Sequence, residues 1–281
     1  MELVDIGVNL GHRSFHHDRD AVIARARAAS VSTLILTGTS VEGSRAAIAL
    51  AQAAAPGLYA TCGVHPHDAG RASEHTLAEL RDLVRAPGVV AVGECGLDFN
   101  RDFSPRPVQR QWFAAQIELA LSCGLPLFLH ERDAQVEFVA VLDRYASAGR
   151  LAVPAVVHCF TGDQAALDAY LERGFYIGLT GWICDERRGL ALQRLAARIP
   201  LDRLLLETDA PFLLPRDLKL PAAPGPKSGR SRSAHGRNEP AFLPHVARTV
   251  ARCLGQPVEV IAAATTRNAR ALFRLAASAG G

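Results

Sequence analysis

Imidazole and carboxylate side chains recur in this sequence at one kind of place, the end of a short apolar run. His65 closes the segment Gly63-Val64-His65, Glu94 follows Val89–Gly93, His130 follows Leu125–Leu129, His158 follows Ala155–Val157, and Asp209 stands just beyond Leu204–Leu206. Asp5 lies inside the first such run. Nitrogen and oxygen donors gathered in one place suit a divalent cation. A lone histidine at a strand end is ordinarily a hydrogen-bonded structural residue. Three histidines and two carboxylates at five strand ends are harder to explain that way, because burying such groups unpaired costs several kcal/mol.

These residues meet only if the elements carrying them run in parallel. The segments Leu3–Val8, Thr33–Thr39, Leu58–Val64, Val89–Gly93, Leu125–Leu129, Ala155–Val157, Phe175–Leu179 and Leu204–Leu206 are rich in Val, Leu and Ile and show little polar alternation. Strands buried on both faces of a helix-covered parallel sheet read this way. Between them, Ala21–Ala29, Glu42–Ala54, Thr76–Arg85, Pro107–Cys123, Gln135–Ala148, Asp163–Arg173 and Glu186–Arg198 carry apolar residues at helical spacing, and two more helices are expected at Ala241–Cys253 and Val258–Ala276. Eight strand–helix units imply a (β/α)8 TIM-type barrel, an α/β fold forming a single domain over residues 1–281. A doubly wound sheet would ordinarily show a G-x-G-x-x-G fingerprint after its first strand, and Gly7–Gly11 has none. In a parallel barrel all C-terminal strand ends open on one mouth, so residues tens of positions apart converge.

Composition sets the outer bounds. The chain has 281 residues, 49% hydrophobic and 21% charged, enough for a substantial core without staples. A formal net charge of +3 is too mild to indicate a nucleic-acid binder by itself, so any basic site has to be local. The six cysteines form no C-x-x-C pair, and no secretory signal or membrane span is apparent. These features point to a reducing, cytoplasmic setting without disulfides.

Of the remaining histidines, His12, His16, His17, His75 and His245 read as solvated, and His67 is held near His65 by Pro66 without having to share its direction. Trp112 and Trp182 read as packing residues, although Trp182 follows a strand end. Residues 213–240 form a long segment rich in Pro, Gly, Ser and Arg. As the loop after strand eight it belongs on the active face of a barrel. It carries Arg216, Lys219, Lys227, Arg230, Arg232 and Arg237 against only Asp217 and Glu239.

Taken in order, these residues resemble the TatD-type metal-dependent deoxyribonucleases almost end to end. The likeness runs through Asp5-Ile6-Gly7-Val8-Asn9-Leu10, Gly63-Val64-His65-Pro66-His67, Gly93-Glu94-Cys95-Gly96-Leu97-Asp98-Phe99 and His158-Cys159-Phe160-Thr161-Gly162. It continues through Thr180-Gly181-Trp182, Glu207-Thr208-Asp209-Ala210-Pro211, Arg237-Asn238-Glu239-Pro240 and Thr265-Thr266-x-Asn268-Ala269. The segments Cys184–Arg188 and Leu213–Leu218 resemble the TatD branch itself. The resemblance implies a barrel hydrolase and a 3′-5′ exonuclease acting on single-stranded DNA, and on RNA, in DNA repair or degradation. It further implies magnesium as cofactor; the donor set suits manganese, which is expected to support activity as well, and a monomer that does not engage membranes is expected. By position, Glu94, His130, His158 and Asp209 match the metal site, with Asp209 also the catalytic carboxylate and Glu94 and His65 counted among the catalytic residues. Many relatives carry His-x-His in strand one, where this chain has Gly7 and Asn9. That change leaves a permanently occupied second metal site in doubt.

The implied chemistry is a cation that neutralises a phosphate oxygen and lowers the pKa of its water, with Asp209 accepting or steering the proton. Arg230, Arg232 and Arg237 are the expected phosphate contacts, since local positive charge gathers a nucleic-acid backbone. Two alternatives are kept. One is a barrel hydrolase that deacylates D-aminoacyl-tRNA, and the other is a non-catalytic nucleic-acid-binding protein.

Overall fold

The computed structural model describes residues 1–54, 56–219 and 236–275. Eight strands form one parallel sheet in sequence order. They are β1 (Leu3–Val8), β2 (Val31–Leu36), β3 (Leu58–Cys62), β4 (Val89–Asp98), β5 (Leu127–Arg132), β6 (Ala155–Val157), β7 (Tyr176–Leu179) and β8 (Leu204–Leu206). The outer layer is α1 (Arg19–Ala28), α2 (Val41–Ala53), α3 (Glu74–Leu83), α4 (Arg106–Cys123), α5 (Gln135–Asp143), α6 (Gln164–Glu172), α7 (Leu190–Ala196), α8 (Leu243–Leu254) and α9 (Val258–Phe273). This is the (β/α)8 barrel expected from the sequence. Among the described residues no helix is long and apolar enough to cross a membrane.

The seam between β8 and β1 is drawn together beyond the last residues of the strands. Asp209 N donates to Gly7 O and Asn9 N to Ala210 O, each at 2.8 Å. The segment carrying Asp209 is thereby bound to the end of β1.

Two apolar layers hold the strands. One lies between sheet and helices and includes Leu34, Phe113, Ile117, Phe138, Leu167 and Val250. The other contains Val4, Ile6, Ile35, Phe128, Val156 and Leu205 from the strands, packed with Ala269, Leu272 and Phe273 of α9. Asn268 Nδ2 donates to Leu201 O at 2.7 Å and Leu204 O at 2.9 Å, and Thr266 Oγ1 donates to Glu2 O at 2.8 Å. The late Thr-Thr-x-Asn motif therefore anchors α9 against the N-terminal ends of β1 and β8, opposite the mouth.

Several elements differ in extent from the sequence reading. β4 runs on to Asp98 and β5 to Arg132, so Glu94 and His130 sit within strands rather than after them. Gly96 permits this continuation. Its φ is +148°, a conformation L side chains rarely adopt, and a Cβ there would overlap the His130 carbonyl oxygen of the paired strand. α5 ends at Asp143 rather than Ala148, and α7 begins at Leu190 rather than Glu186. Ahead of α7, Asp185 accepts the N–H groups of Arg187 and Arg188 at 2.9 and 3.0 Å, and this local turn replaces the first helical residues.

Candidate active site

β4 and β5 place the hub of the site. Three imidazoles converge on one oxygen, Glu94 Oε1: His65 Nε2 at 3.2 Å, His130 Nδ1 at 3.0 Å and His158 Nε2 at 2.7 Å. Glu94 is only 6% exposed. Its surroundings oppose ionisation through burial, but the three imidazoles hold the carboxyl well below its ordinary range. Ligand atoms of His65, Glu94 and His130 all lie within 4.8 Å of one another. His65 therefore sits among the candidate cation ligands, beyond the catalytic role expected of it.

Two carboxylates that sequence reasoning had not singled out complete the arrangement. Asp98, four residues along β4, accepts from His130 Nε2 at 3.2 Å and His67 Nε2 at 2.7 Å. His67 thus shares the site with His65, their ring centres 4.3 Å apart. Glu207, at the end of β8, is fully buried, faces His158 Nδ1 at 3.4 Å and accepts the Cys159 backbone N–H. A carboxylate behind a ligating imidazole fixes its tautomer and aims its other nitrogen. Glu207 stands in that position behind His158, while Phe128 stacks on the imidazole at 4.7 Å.

Glu207 also gives a physical meaning to Gly7. A Cβ at residue 7 would stand 2.5 Å from Glu207 Oε2, and one at Gly178 would stand 2.5 Å from Oε1. The carboxylate occupies room that two neighbouring strands leave by lacking side chains. The other altered strand-one position, Asn9, donates from Nδ2 to Asp209 Oδ1 at 2.9 Å.

Both nitrogens of His130 and of His158 face carboxylate oxygens, which favours the doubly protonated ring. Burial alone would lower these imidazoles. Asp98 and Glu94 raise His130, and Glu94 and Glu207 raise His158 well above its ordinary value. His65 has less acidic company, and burial lowers it. A divalent cation would replace these protons among the same donors, so the chemistry of the donor set fits one.

Asp209 stands beside the hub with φ +52°, in a left-handed conformation that Asp tolerates better than most residues. Although part of it reaches solvent, loss of water around the carboxyl pushes it up to about 7, opposed by His158 and helped by Glu94 and Glu207. Asp5 does not reach the hub. It accepts Thr208 N at 2.9 Å and the Thr208 hydroxyl at 2.5 Å, bracing the segment before Asp209, and burial pushes it up to about 7. Asn238 supports the same segment by donating to Thr208 O at 2.9 Å and Phe212 O at 2.6 Å.

The expected phosphate contacts divide. Arg230 and Arg232 lie outside the described residues. Arg237 is taken up by Asp18, with two contacts of 2.7 Å, and its guanidinium covers the Phe15 ring at 4.4 Å. A further cation, Arg132, stands at the end of β5. Its guanidinium lies 5.9 Å from the Trp182 ring centre and has no acidic partner among the described residues. Trp182 also meets Arg188 at 4.5 Å, and it packs half-buried against the core, as expected of a packing residue. His245, read as solvated, pairs with Asp217 at 2.6 Å.

A parallel (β/α)8 barrel with a cluster of imidazoles and carboxylates at its C-terminal mouth defines a barrel hydrolase with a candidate metal centre. The chain belongs to the TatD related DNase family, whose model matches residues 4–274. It is 52% identical over 275 residues to the 3'-5' ssDNA/RNA exonuclease TatD of Edwardsiella piscicida, covering 98% of this chain and 100% of that protein. The protein of the same name from Enterobacter lignolyticus is 48% identical over 275 residues, again 98% and 100% of the two chains. Among solved structures, the YJJV TatD homolog of Escherichia coli K12 superposes with a TM-score of 0.84 at 28% identity, covering 98% of each chain. A TatD family hydrolase from Entamoeba histolytica reaches 0.84 at 25% identity, covering 97% of this chain and 98% of that one.

Proposed function

We propose that this protein is a metal-dependent 3′-5′ exonuclease that hydrolyses phosphodiester bonds of single-stranded DNA and of RNA, using magnesium, with manganese as an effective substitute. The observation that carries this reading is the convergence of His65, His130 and His158 on one Glu94 oxygen. It stands in a chain half identical, over nearly its whole length, to named 3′-5′ exonucleases.

Glu94, His130 and His158 hold the cation, with His65 beside them. Bound there, a divalent cation neutralises a non-bridging phosphate oxygen and acidifies a water. Asp209 takes the proton of the attacking water. A bound cation beside it would favour the ionised carboxylate, which is the form that can accept that proton. Asn9 fixes which carboxylate oxygen faces inward by bonding the other one. Glu207 and Asp98 aim His158 and His130. One tight cation is proposed rather than two, because the space at residue 7 is taken by Glu207 and Asn9 is occupied with Asp209. Arg132 meets the phosphate backbone, joined by Arg230 and Arg232 on the ground of charge. The protein acts as a cytoplasmic monomer in DNA repair or degradation.

The test is Asp209→Asn. The turnover of this variant should fall by roughly 100-fold or more while cation affinity and melting temperature stay near wild type. Turnover at the wild-type rate would refute the role of Asp209.

A further inference from the structure

Exposed phenylalanine, tyrosine and tryptophan rings are scarce among the described residues, and those present stand at the mouth of the barrel. Among the described residues, the exposed large apolar side chains are Met1, Phe103, Val136, Leu190, Phe212 and Val260. Only Phe103 and Phe212 are aromatic, and both lie on loops that leave the C-terminal ends of strands. Phe103, 68% exposed, follows β4, and Phe212, 50% exposed, follows β8. β4 and β8 lie four strands apart in the eight-strand order, so the two rings flank the mouth from opposite sides.

Each ring is tied to the site by one residue. Phe103 meets the His67 ring edge to face at 4.7 Å, and His67 bonds Asp98. Phe212 N donates to Asp209 O at 3.0 Å, and its ring meets His12 at 5.5 Å. Phe212 also borders a cavity of about 340 Å³ lined by Asn9, His12, Thr37 and Thr39. That volume is at the lower end of small-molecule sites and suits one nucleotide-sized group.

We propose that Phe212 and Phe103 are two base-stacking platforms, Phe212 receiving the 3′-terminal nucleobase in its cavity and Phe103 the base before it, with the scissile phosphate held between them over Glu94 and Asp209. The proposal rests on the exonuclease reading and adds what selects the substrate. A stacked base adds to binding whatever its identity, because every base has a π face. Two successive bases can reach two separate rings only when they are unpaired and unstacked, so the platforms favour single strands and tolerate any sequence.

The test compares single-stranded DNA oligonucleotides that are complete, abasic at the 3′-terminal residue, or abasic at the residue before it. Cleavage is measured with magnesium for the wild type, Phe212→Ala, Phe103→Ala, Phe212→Tyr and Phe103→Tyr. Each alanine variant should raise KM for the complete strand by roughly 10-fold, with the tyrosine variants close to wild type. Phe212→Ala should cost nothing further on the terminally abasic strand, and Phe103→Ala nothing further on the other. A loss of equal size on complete and abasic strands, or no loss at all, overturns the proposal. Because both rings are exposed, melting temperatures should not move. If the wild type cleaves none of these strands, the exonuclease reading fails and the platforms are judged by binding alone. A 2-aminopurine at the 3′ end should then be quenched on binding to wild type but not to Phe212→Ala, and equal quenching in both overturns the proposal.

Discussion

Replacing Gly7 by alanine adds one methyl group at the most confined point of the site. Its Cβ would stand 2.5 Å from Glu207 Oε2, whereas ordinary contact begins at 3.4 Å, so the carboxylate has to retreat by about 0.9 Å. On the other side the carboxylate already lies close against Gly178, where it fits only because that residue has no Cβ. Glu207 must therefore loosen its hold on the Cys159 N–H or on His158 Nδ1. A hydrogen bond to a charged group contributes about 1.5–3 kcal/mol. For a domain of this size that corresponds to a fall in melting temperature of a few degrees, at most about 10 °C. Disturbing the partner behind a ligating histidine costs roughly 10- to 100-fold in cation affinity. Calorimetric titration with manganese and a thermal melt read both effects. Gly11→Ala is the control, because a Cβ there meets nothing within 4 Å. If Gly7→Ala keeps wild-type affinity and stability, Glu207 is not confined as described and does not position His158.

Further consequences follow from the charges. His130 and His158 are raised above their ordinary pKa by carboxylates on both ring nitrogens, so protons compete with a cation for them. Manganese should bind more weakly as pH falls through the raised values, with protons released on binding in buffers of different ionisation enthalpy. Binding that does not change with pH, with no proton release, would contradict the proposed ligands. Arg132→Gln should raise KM for single-stranded DNA several-fold with little change in kcat, and should lower the salt dependence of binding by about one counterion. An unchanged KM and an unchanged salt slope would remove Arg132 from the substrate path.

Much of the barrel was legible because strands covered on both faces read as unbroken Val, Leu and Ile runs, and because the polar residue closing each run stands out. Glu94, His130 and His158 were found that way, and the structure brings them together. Asp98 escaped because β4 continues through a Gly-x-x-Gly stretch that interrupts the apolar run, so the strand seemed to end at Gly93. Glu207 was quoted only within a motif, and nothing in its neighbours signals that two distant glycines make room for it. Gly7 read as a lost ligand, whereas the fold shows it as space for a carboxylate. Arg237 read as a free cation because its partner Asp18 lies 219 residues away in the chain. Partnerships across the seam between β8 and β1 leave no local trace in composition or spacing.

The most direct test of the central claim is cleavage of a 5′-end-labelled single-stranded DNA by the whole protein with magnesium, with manganese and with chelator. The expected result is a ladder that shortens one nucleotide at a time from the 3′ end with either cation, no product with chelator, and far slower shortening by Asp209→Asn. Cleavage that survives chelation, or no cleavage with either cation, would contradict the account.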